Sequence, residues 1–234
     1  MRVLALLSGG KDSVCAVETV RGFGWEVVAG LALHPAADDA WMFHTPNLPV
    51  VRGVAHCLGL PLLEAPVREG AEEEVEDLQA ALAQAHAAFR LDGVVSGALA
   101  SEYQRTRIEL ACHRLGLKSF TPLWHKDAAH YVRTMLAGGW DIRFSRTAAD
   151  GVPNAWAGAR LDAAKLDAMR HHSARPHVAG EGGEYETLVL DSPAYGHRLV
   201  VDAADVVATA SRATWTVQAW HVEPKPALLP SRPS

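Results

Sequence analysis

Ser8-Gly9-Gly10-Lys11-Asp12-Ser13 gathers two hydroxyls, two adjacent glycines, a cation and a carboxylate into six residues, directly after the apolar run Val3–Leu7. A helix-like segment follows at once. Paired glycines let the backbone turn tightly and bring bare N–H groups against an anion, while the following helix points its positive end at the same place. The ligand implied is a phosphate group. Lys11 adds a cation, and the hydroxyls of Ser8 and Ser13 can donate to phosphate oxygens or help place a magnesium ion. Asp12 would repel phosphate, which assigns it to capping the helix or holding the metal. The spacing is neither that of a Walker A loop nor GxGxxG. An ordinary glycine turn explains the glycines but not their coincidence with lysine, aspartate and two hydroxyls.

Three other stretches carry candidate residues. Gly97-Ala98-Leu99-Ala100-Ser101-Glu102-Tyr103-Gln104-Arg105-Thr106-Arg107-Ile108-Glu109 follows a short apolar strand, at the edge where open sheets bind ligands. Arg105 and Arg107 can neutralise phosphate charge; the bland alternative is a surface helix paired i,i+4, Arg105 with Glu109. Gly180-Glu181-Gly182-Gly183-Glu184-Tyr185-Glu186-Thr187 sets three carboxylates among glycines. Packing explains this poorly, since glycine adds no core and clustered like charges repel; a loop recognising an amine, ammonium or metal would use them well. An acidic hairpin turn accounts for any single glutamate. In Asp39-Ala40-Trp41-Met42-Phe43-His44-Thr45 the large apolar residues either fill core or wall a cleft.

Short apolar strands alternating with amphipathic segments predict βαβ units and a parallel sheet over the first half. Strands are expected near Val3–Leu7, Val27–Leu33, Pro61–Leu63, Gly93–Val95 and Lys118–Thr121. Helices are expected near Asp12–Gly22, Pro49–Leu58, Glu73–Phe89 and Glu102–Leu115, with Gly22, Gly59 and Gly116 as stops. From Thr121 the pattern turns to glycine pairs, prolines and short β-like runs, predicting a smaller α+β unit. Residues 1–121 are assigned to the phosphate-binding domain, 122–222 to a substrate-binding domain and 223–234 to a proline-rich tail. The acidic run Glu72–Asp77 reads as the solvated first turn of a helix.

With 234 residues, 49% of them hydrophobic, the chain suits one substantial core or one nucleotide domain with an appended unit. A net charge of −5 and a pI near 6.2 argue against nucleic-acid binding. No apolar run reaches the length of a membrane span and no signal sequence is visible, so a cytoplasmic location is expected. Cys15, Cys57 and Cys112 are scattered and read as reduced thiols. The twelve histidines form neither HExxH nor a zinc-finger pattern, and the neighbours His171 and His172 read as a solvated helix end.

Ser8–Ser13 resembles the SGGxDS signature of the PP-loop ATP pyrophosphatases, in the adenine nucleotide alpha hydrolase superfamily, which cleave ATP between the α and β phosphates. Gly97–Glu109 is similar to the GA-x-x-S-D/E-Y-Q-R-x-R-x-E motif of one family in that group, the diphthine–ammonia ligases. Gly180–Thr187 with Asp191-Ser192-Pro193 resembles that family's GEGGEYET…LD-x-P block, and Asp39–Thr45 its D-x-x-M-Y/F-Q/H-T stretch. The likeness runs from roughly Met1 to His221. His44 and Leu48–Val51 depart from it, which bears on the acceptor more than on ATP. Paired cysteines, common in the PP-loop enzymes that insert sulfur into tRNA, are missing from the sequence.

The resemblance implies a five-stranded parallel Rossmann-like sheet of the HUP type, flanked by helices, with a smaller C-terminal α+β domain. It implies ATP and Mg2+ as cofactors, with Asp12 a candidate for the metal. Ser8, Gly9, Gly10, Lys11, Asp12, Ser13, Met42 and Gly97 would bind the nucleotide. Glu102, Tyr103, Gln104, Glu181, Gly182, Gly183, Glu184, Tyr185 and Thr187 would bind the substrate. Lys11, Arg105, Arg107, Glu184 and Glu186 would act in catalysis. ATP would adenylate a carboxylate, releasing pyrophosphate, and ammonia would displace AMP to leave an amide. The partner would be elongation factor 2 if diphthine is the acceptor, and a second copy of the chain is a further candidate partner. The alternatives are an amidoligase acting on another small carboxylate, as in corrinoid salvage, and a non-catalytic ATP sensor.

Overall fold

The computed structural model describes residues 1–35, 47–68 and 70–225. Strands β1 (Arg2–Leu6), β2 (Glu26–Pro35), β3 (Leu62–Val67), β4 (Gly93–Val95) and β5 (Lys118–Phe120) form a five-stranded parallel sheet in the order β3-β2-β1-β4-β5. Their central stretches, such as Val3–Leu6, Ala29–Leu33 and Gly93–Val95, are apolar because helices cover both faces. Val3, Ala5 and Leu7 pack with α1 (Lys11–Gly22) and α2 (Val51–Cys57), whereas Leu4 and Leu6 pack with α3 (Ala71–Phe89) and α4 (Glu102–Arg114).

From β1 the chain builds outward through β2 to β3, then returns to lay β4 on the other side of β1. Such a reversal opens a crevice beyond the carboxyl ends of the two central strands. The Ser8–Ser13 turn leaves β1 and the Gly97 stretch leaves β4, so both face that crevice. Gly97 has no alternative there. A Cβ would sit 2.6 Å from the Asp12 carbonyl carbon and 2.7 Å from the Ser13 nitrogen.

Two elements differ from expectation for local reasons. β3 runs on to Val67 through Pro66, which a strand at the sheet edge tolerates because a lost ladder donor faces outward. α2 begins at Val51, with 48–50 forming a 3-10 turn ahead of it. In α3, Glu72, Glu73 and Glu74 occupy the first turn, where Glu72 faces water, Glu73 is half-buried and Glu74 turns inward.

The second half holds α5 (Ala128–Ala137), α6 (Ala163–His171) and an antiparallel four-stranded sheet of β6 (Asp141–Thr147), β7 (Tyr185–Asp191), β8 (His197–Ala208) and β9 (Ala213–Pro224), in the order β7-β6-β9-β8. β9 reaches Pro224, and Lys225 pairs with Asp191 at 2.7 Å. One hydrophobic cluster joins the two sheets, running from Val14 and Val54 to Leu188, Leu199 and Trp215. α2 approaches the second sheet so closely that a Cβ at Gly53 would lie 2.6 Å from Leu199 Cδ1. No helix among the described residues is long and apolar enough to cross a membrane.

Candidate active site

A cavity of about 720 Å3 lies at the crevice, between the carboxyl ends of β1 and β4 and the face of β6 and β7. The Ser8–Ser13 turn forms its floor. Gly9 takes a φ of +80°, which favours glycine, and Gly10 is extended at the start of α1 without a side-chain cap. Gly10 supplies no capping side chain to the first turn of α1; the Lys11 N–H is taken by Thr187, and the turn's other N–H groups suit a phosphate. Hydroxyls brace the turn: Ser13 Oγ donates to the Gly10 carbonyl at 3.0 Å and lies 3.2 Å from Ser8 Oγ.

Strand β7 pins the same turn from outside. Val189 N–H donates to the Gly9 carbonyl at 2.9 Å, and Lys11 N–H donates to Thr187 Oγ1 at 3.1 Å. The Lys11 ammonium is buried, donating to Asp12 Oδ2 at 2.9 Å and to the Ala179 carbonyl, with the Tyr185 ring 5.2 Å away. Tyr131 of α5 donates to the other Asp12 oxygen at 2.9 Å. Asp12 does not cap α1; its carboxylate is shared between a lysine and a tyrosine.

Ser8, Gly10, Lys11, Asp12, Ser13, Gly97, Tyr103, Gln104, Glu181, Gly182, Gly183, Tyr185, Glu186 and Thr187 all line the cavity. Its inner wall is apolar, with Leu31, Leu33, Ala98 and Ile108, and suits a flat base. Hydroxyls, the remaining N–H groups of the helix's first turn and this wall fit a nucleotide; Asp12 in the turn and Glu181, which feels its charge, are carboxylates that would meet a magnesium carried on it. Among the described residues no cluster of three or more His, Cys, Asp or Glu could hold a metal by itself.

Five of the expected site residues among those described, Gly9, Glu102, Arg105, Arg107 and Glu184, do not line the cavity. Arg105 lies between Glu102, at 3.1 Å, and Glu109, at 3.0 Å, with its guanidinium 4.6 Å from the centre of the Trp124 ring. This is the surface-helix pairing, and it occupies Glu102 as well. Arg107 folds back over Tyr103, 3.4 Å from the ring centre. Glu184 accepts from the His177 N–H and so closes the acidic loop on itself. Gly9 sits behind the turn, against Leu188. Met42 lies outside the described residues, as does the rest of Asp39–Thr45.

Two residues of the site were not anticipated. Arg146 of β6 lines the cavity with its side chain 13% exposed, opposite Glu186 in the strand register and 3.9 Å from it, and its Nε is buried without a hydrogen bond. Tyr131 reaches Asp12 from a helix with no recognisable motif. The electrostatics follow from burial. Desolvation pushes the Glu186 carboxyl up to about 7, although Arg146 and Lys11 pull it down. Burial also raises Glu181, reinforced by Asp12, and holds the Tyr131 and Tyr185 hydroxyls well above their ordinary range. Cys15 is raised to about 11 by burial, so it is an unreactive thiol at neutral pH.

The chain matches the family models described as diphthamide synthase N-terminal domain over residues 1–119 and diphthamide synthase C-terminal domain over residues 127–223. It is 34% identical to the diphthine–ammonia ligase of Danio rerio over 88% of this chain and 89% of that protein, and 32% identical to that of Homo sapiens over 88% and 85%. The chain belongs to the diphthamide synthase family. Members are ATP-dependent ligases that form C–N bonds, and this one is such an enzyme. A looser likeness, 16% identical with a TM-score of 0.42, covers 82% of this chain and 97% of a predicted tRNA methyltransferase subunit from Methanocaldococcus jannaschii. The family's two domains coincide with the two sheets, whose meeting face is the cavity.

Proposed function

We propose that the chain transfers AMP from ATP to the carboxylate of diphthine on elongation factor 2 and then amidates that carboxyl with ammonia. The observation that carries this reading is one cavity with two unlike walls: a phosphate-binding turn on the parallel sheet and a loop of carboxylates beside β7. The relatives' names supply the acceptor and the ammonia.

The reaction needs no protein nucleophile. The acceptor carboxylate attacks the α-phosphorus itself once aligned, so positioning and charge stabilisation carry the acceleration. Ser8, Ser13 and the Asp12 and Ser13 N–H groups hold the phosphates, and Tyr103 with Gln104 lines the same cavity. Arg146 and Lys11 are the cations facing the space where the pyrophosphate leaves. Magnesium bound with ATP would meet Asp12 and neutralise phosphate charge. With Arg105 and Arg107 turned away, the leaving group is stabilised from β6 and α1 rather than from α4.

Incubation of the pure protein with ATP, magnesium, ammonium and diphthine-bearing elongation factor 2 is expected to yield AMP, pyrophosphate and diphthamide. ADP in place of AMP would sink the adenylation step. Turnover with free carboxylic acids but not with the factor would move the acceptor to a small molecule, and ATP binding with no turnover on any acceptor would leave a sensor.

A further inference from the structure

We propose, resting on the amidation reading, that Glu186 is the catalytic base that takes a proton from ammonium as ammonia reaches the activated carboxylate. Ammonia is protonated at neutral pH and has no lone pair to attack with until a proton is removed. The cavity offers few groups for that task. Asp12 is held by Lys11 and Tyr131, and Glu184 is committed to the His177 N–H. Glu181 accepts a hydrogen bond from the Ala100 N–H. Glu186 stands on rigid strand rather than on the glycine loop, lines the cavity, and has Arg146 of β6 beside it at 3.9 Å. Its surroundings are mixed in charge: Arg146 from β6, Lys11 from α1, and the carboxylates of Asp12 and Glu181 around the same space.

A carboxylate in this setting attracts ammonium, and Arg146 steadies its ionised form. Burial brings it to about 7, where a base is ionised at working pH yet strong enough to hold a proton in passing. In the step itself an N–H bond of ammonium breaks and the proton moves to a Glu186 carboxylate oxygen. The freed lone pair forms the C–N bond at the acyl carbon, and the C–O bond to AMP breaks with its electron pair leaving on the phosphate. The attacking nitrogen loses its second proton to that phosphate or to water, and Glu186 returns its own proton to water.

The test compares the full-length protein with Glu186→Gln and Glu186→Asp in two arms. In the first, with diphthine-bearing elongation factor 2, Glu186→Gln should lower the ammonium-dependent rate about a hundredfold and replace the wild type's rise that levels off above pH 7 with the unbroken rise of free ammonia. It should keep acceptor-dependent ATP–pyrophosphate exchange, and hydroxamate formation from hydroxylamine, within about threefold, because hydroxylamine is already unprotonated. Glu186→Asp should retain the rise that levels off. Equal losses with ammonium, hydroxylamine and exchange would make Glu186 a binding or folding residue and overturn the proposal, as would an unchanged ammonium rate. The second arm needs no acceptor. An infrared titration of the protein alone should show a carboxylic acid ionising near pH 7, missing from Glu186→Gln, and ammonium chloride but not tetramethylammonium chloride should shift it downward. A wild type that fails to amidate the factor but shows this shift refutes the amidation reading and leaves Glu186 as an ammonium-binding base. Absence of the shift overturns the proposal itself.

Discussion

The cavity's two glycine-bearing walls are built on opposite principles. At the phosphate turn Gly9 serves its φ of +80°, but Gly10 and the neighbouring Gly97 are where they are because something lies against them: a Cβ on Gly10 would meet the Thr187 carbonyl at 3.3 Å, and one on Gly97 would run into the backbone of Asp12 and Ser13. At the acidic loop, Gly182 and Gly183 have no atom within 4 Å of an added Cβ, and glycine serves only their φ of +75° and +77°. The first wall is fixed by packing between elements far apart in sequence. The second is fixed by local backbone conformation and carries its charge on it. A wall locked by packing suits a ligand of constant shape, such as ATP phosphates, and a wall with room around its backbone suits an acceptor that arrives on another molecule.

The charged wall makes the largest expected effect. Glu186 titrates higher in the folded chain, at about 7, than in an unfolded one, near its ordinary 4.5, so the folded state binds the extra proton between those values. Ionisation thus works against folding: the cost is nearly absent below pH 4.5, grows through the window and is complete above pH 7. Glu186→Gln removes it. The variant is expected to match wild type closely at pH 5 and to exceed it by about 3 kcal/mol at pH 8 in urea unfolding. A constant difference across pH would mean that Glu186 is not held against its charge, and the contrast between the walls would lose its electrostatic half.

Gly97→Ala tests the packed wall. The methyl group meets backbone on α1, which cannot swing aside as a side chain can, so stability should fall by about 2 kcal/mol. Displacement of the first turn of α1 should also weaken ATP binding tenfold or more by calorimetry. Retained ATP affinity would show that the turn is more compliant than its contacts imply. Gly182→Ala is the matched change on the other wall. It meets no neighbour and costs only the left-handed conformation, about 1 kcal/mol, with ATP affinity unchanged.

The same contrast explains what was legible in the chain. The turn after β1 could be read because all its chemistry is contiguous: apolar run, glycines, lysine and hydroxyls fall within a dozen residues. The parallel sheet followed from alternation, and the family resemblance drew attention to Gly97 and the acidic loop. The reason for Gly97 was not legible, because its clash partner is a backbone brought in by the return of β4 beside β1. Tyr131 and Arg146 left no signal either. Tyr131 meets Asp12 across 119 positions of sequence, and Arg146 is one arginine in an otherwise ordinary strand whose significance comes from facing Glu186 across a ladder. In Gly97–Glu109 the motif was visible but the direction of its arginines was not. Direction depends on Trp124 and Tyr103, which offer rings to Arg105 and Arg107.

That last point carries the smallest expected effect, and it separates a motif residue from a cavity residue. Arg105 is 29% exposed, and its two ion pairs lie within its own helix, at i,i+3 and i,i+4. Such pairs are worth a few tenths of a kcal/mol each, and a half-exposed cation over an indole adds a similar amount. Arg105→Ala should therefore cost no more than about 1 kcal/mol and leave ATP affinity within twofold. Arg146→Ala should instead weaken ATP or pyrophosphate binding without a comparable change in the melting of α4, because its charge faces the cavity. If Arg105→Ala abolishes nucleotide binding while Arg146→Ala spares it, α4 must turn its arginines inward when ATP is present, and the stabilising cations belong to the parallel-sheet wall after all.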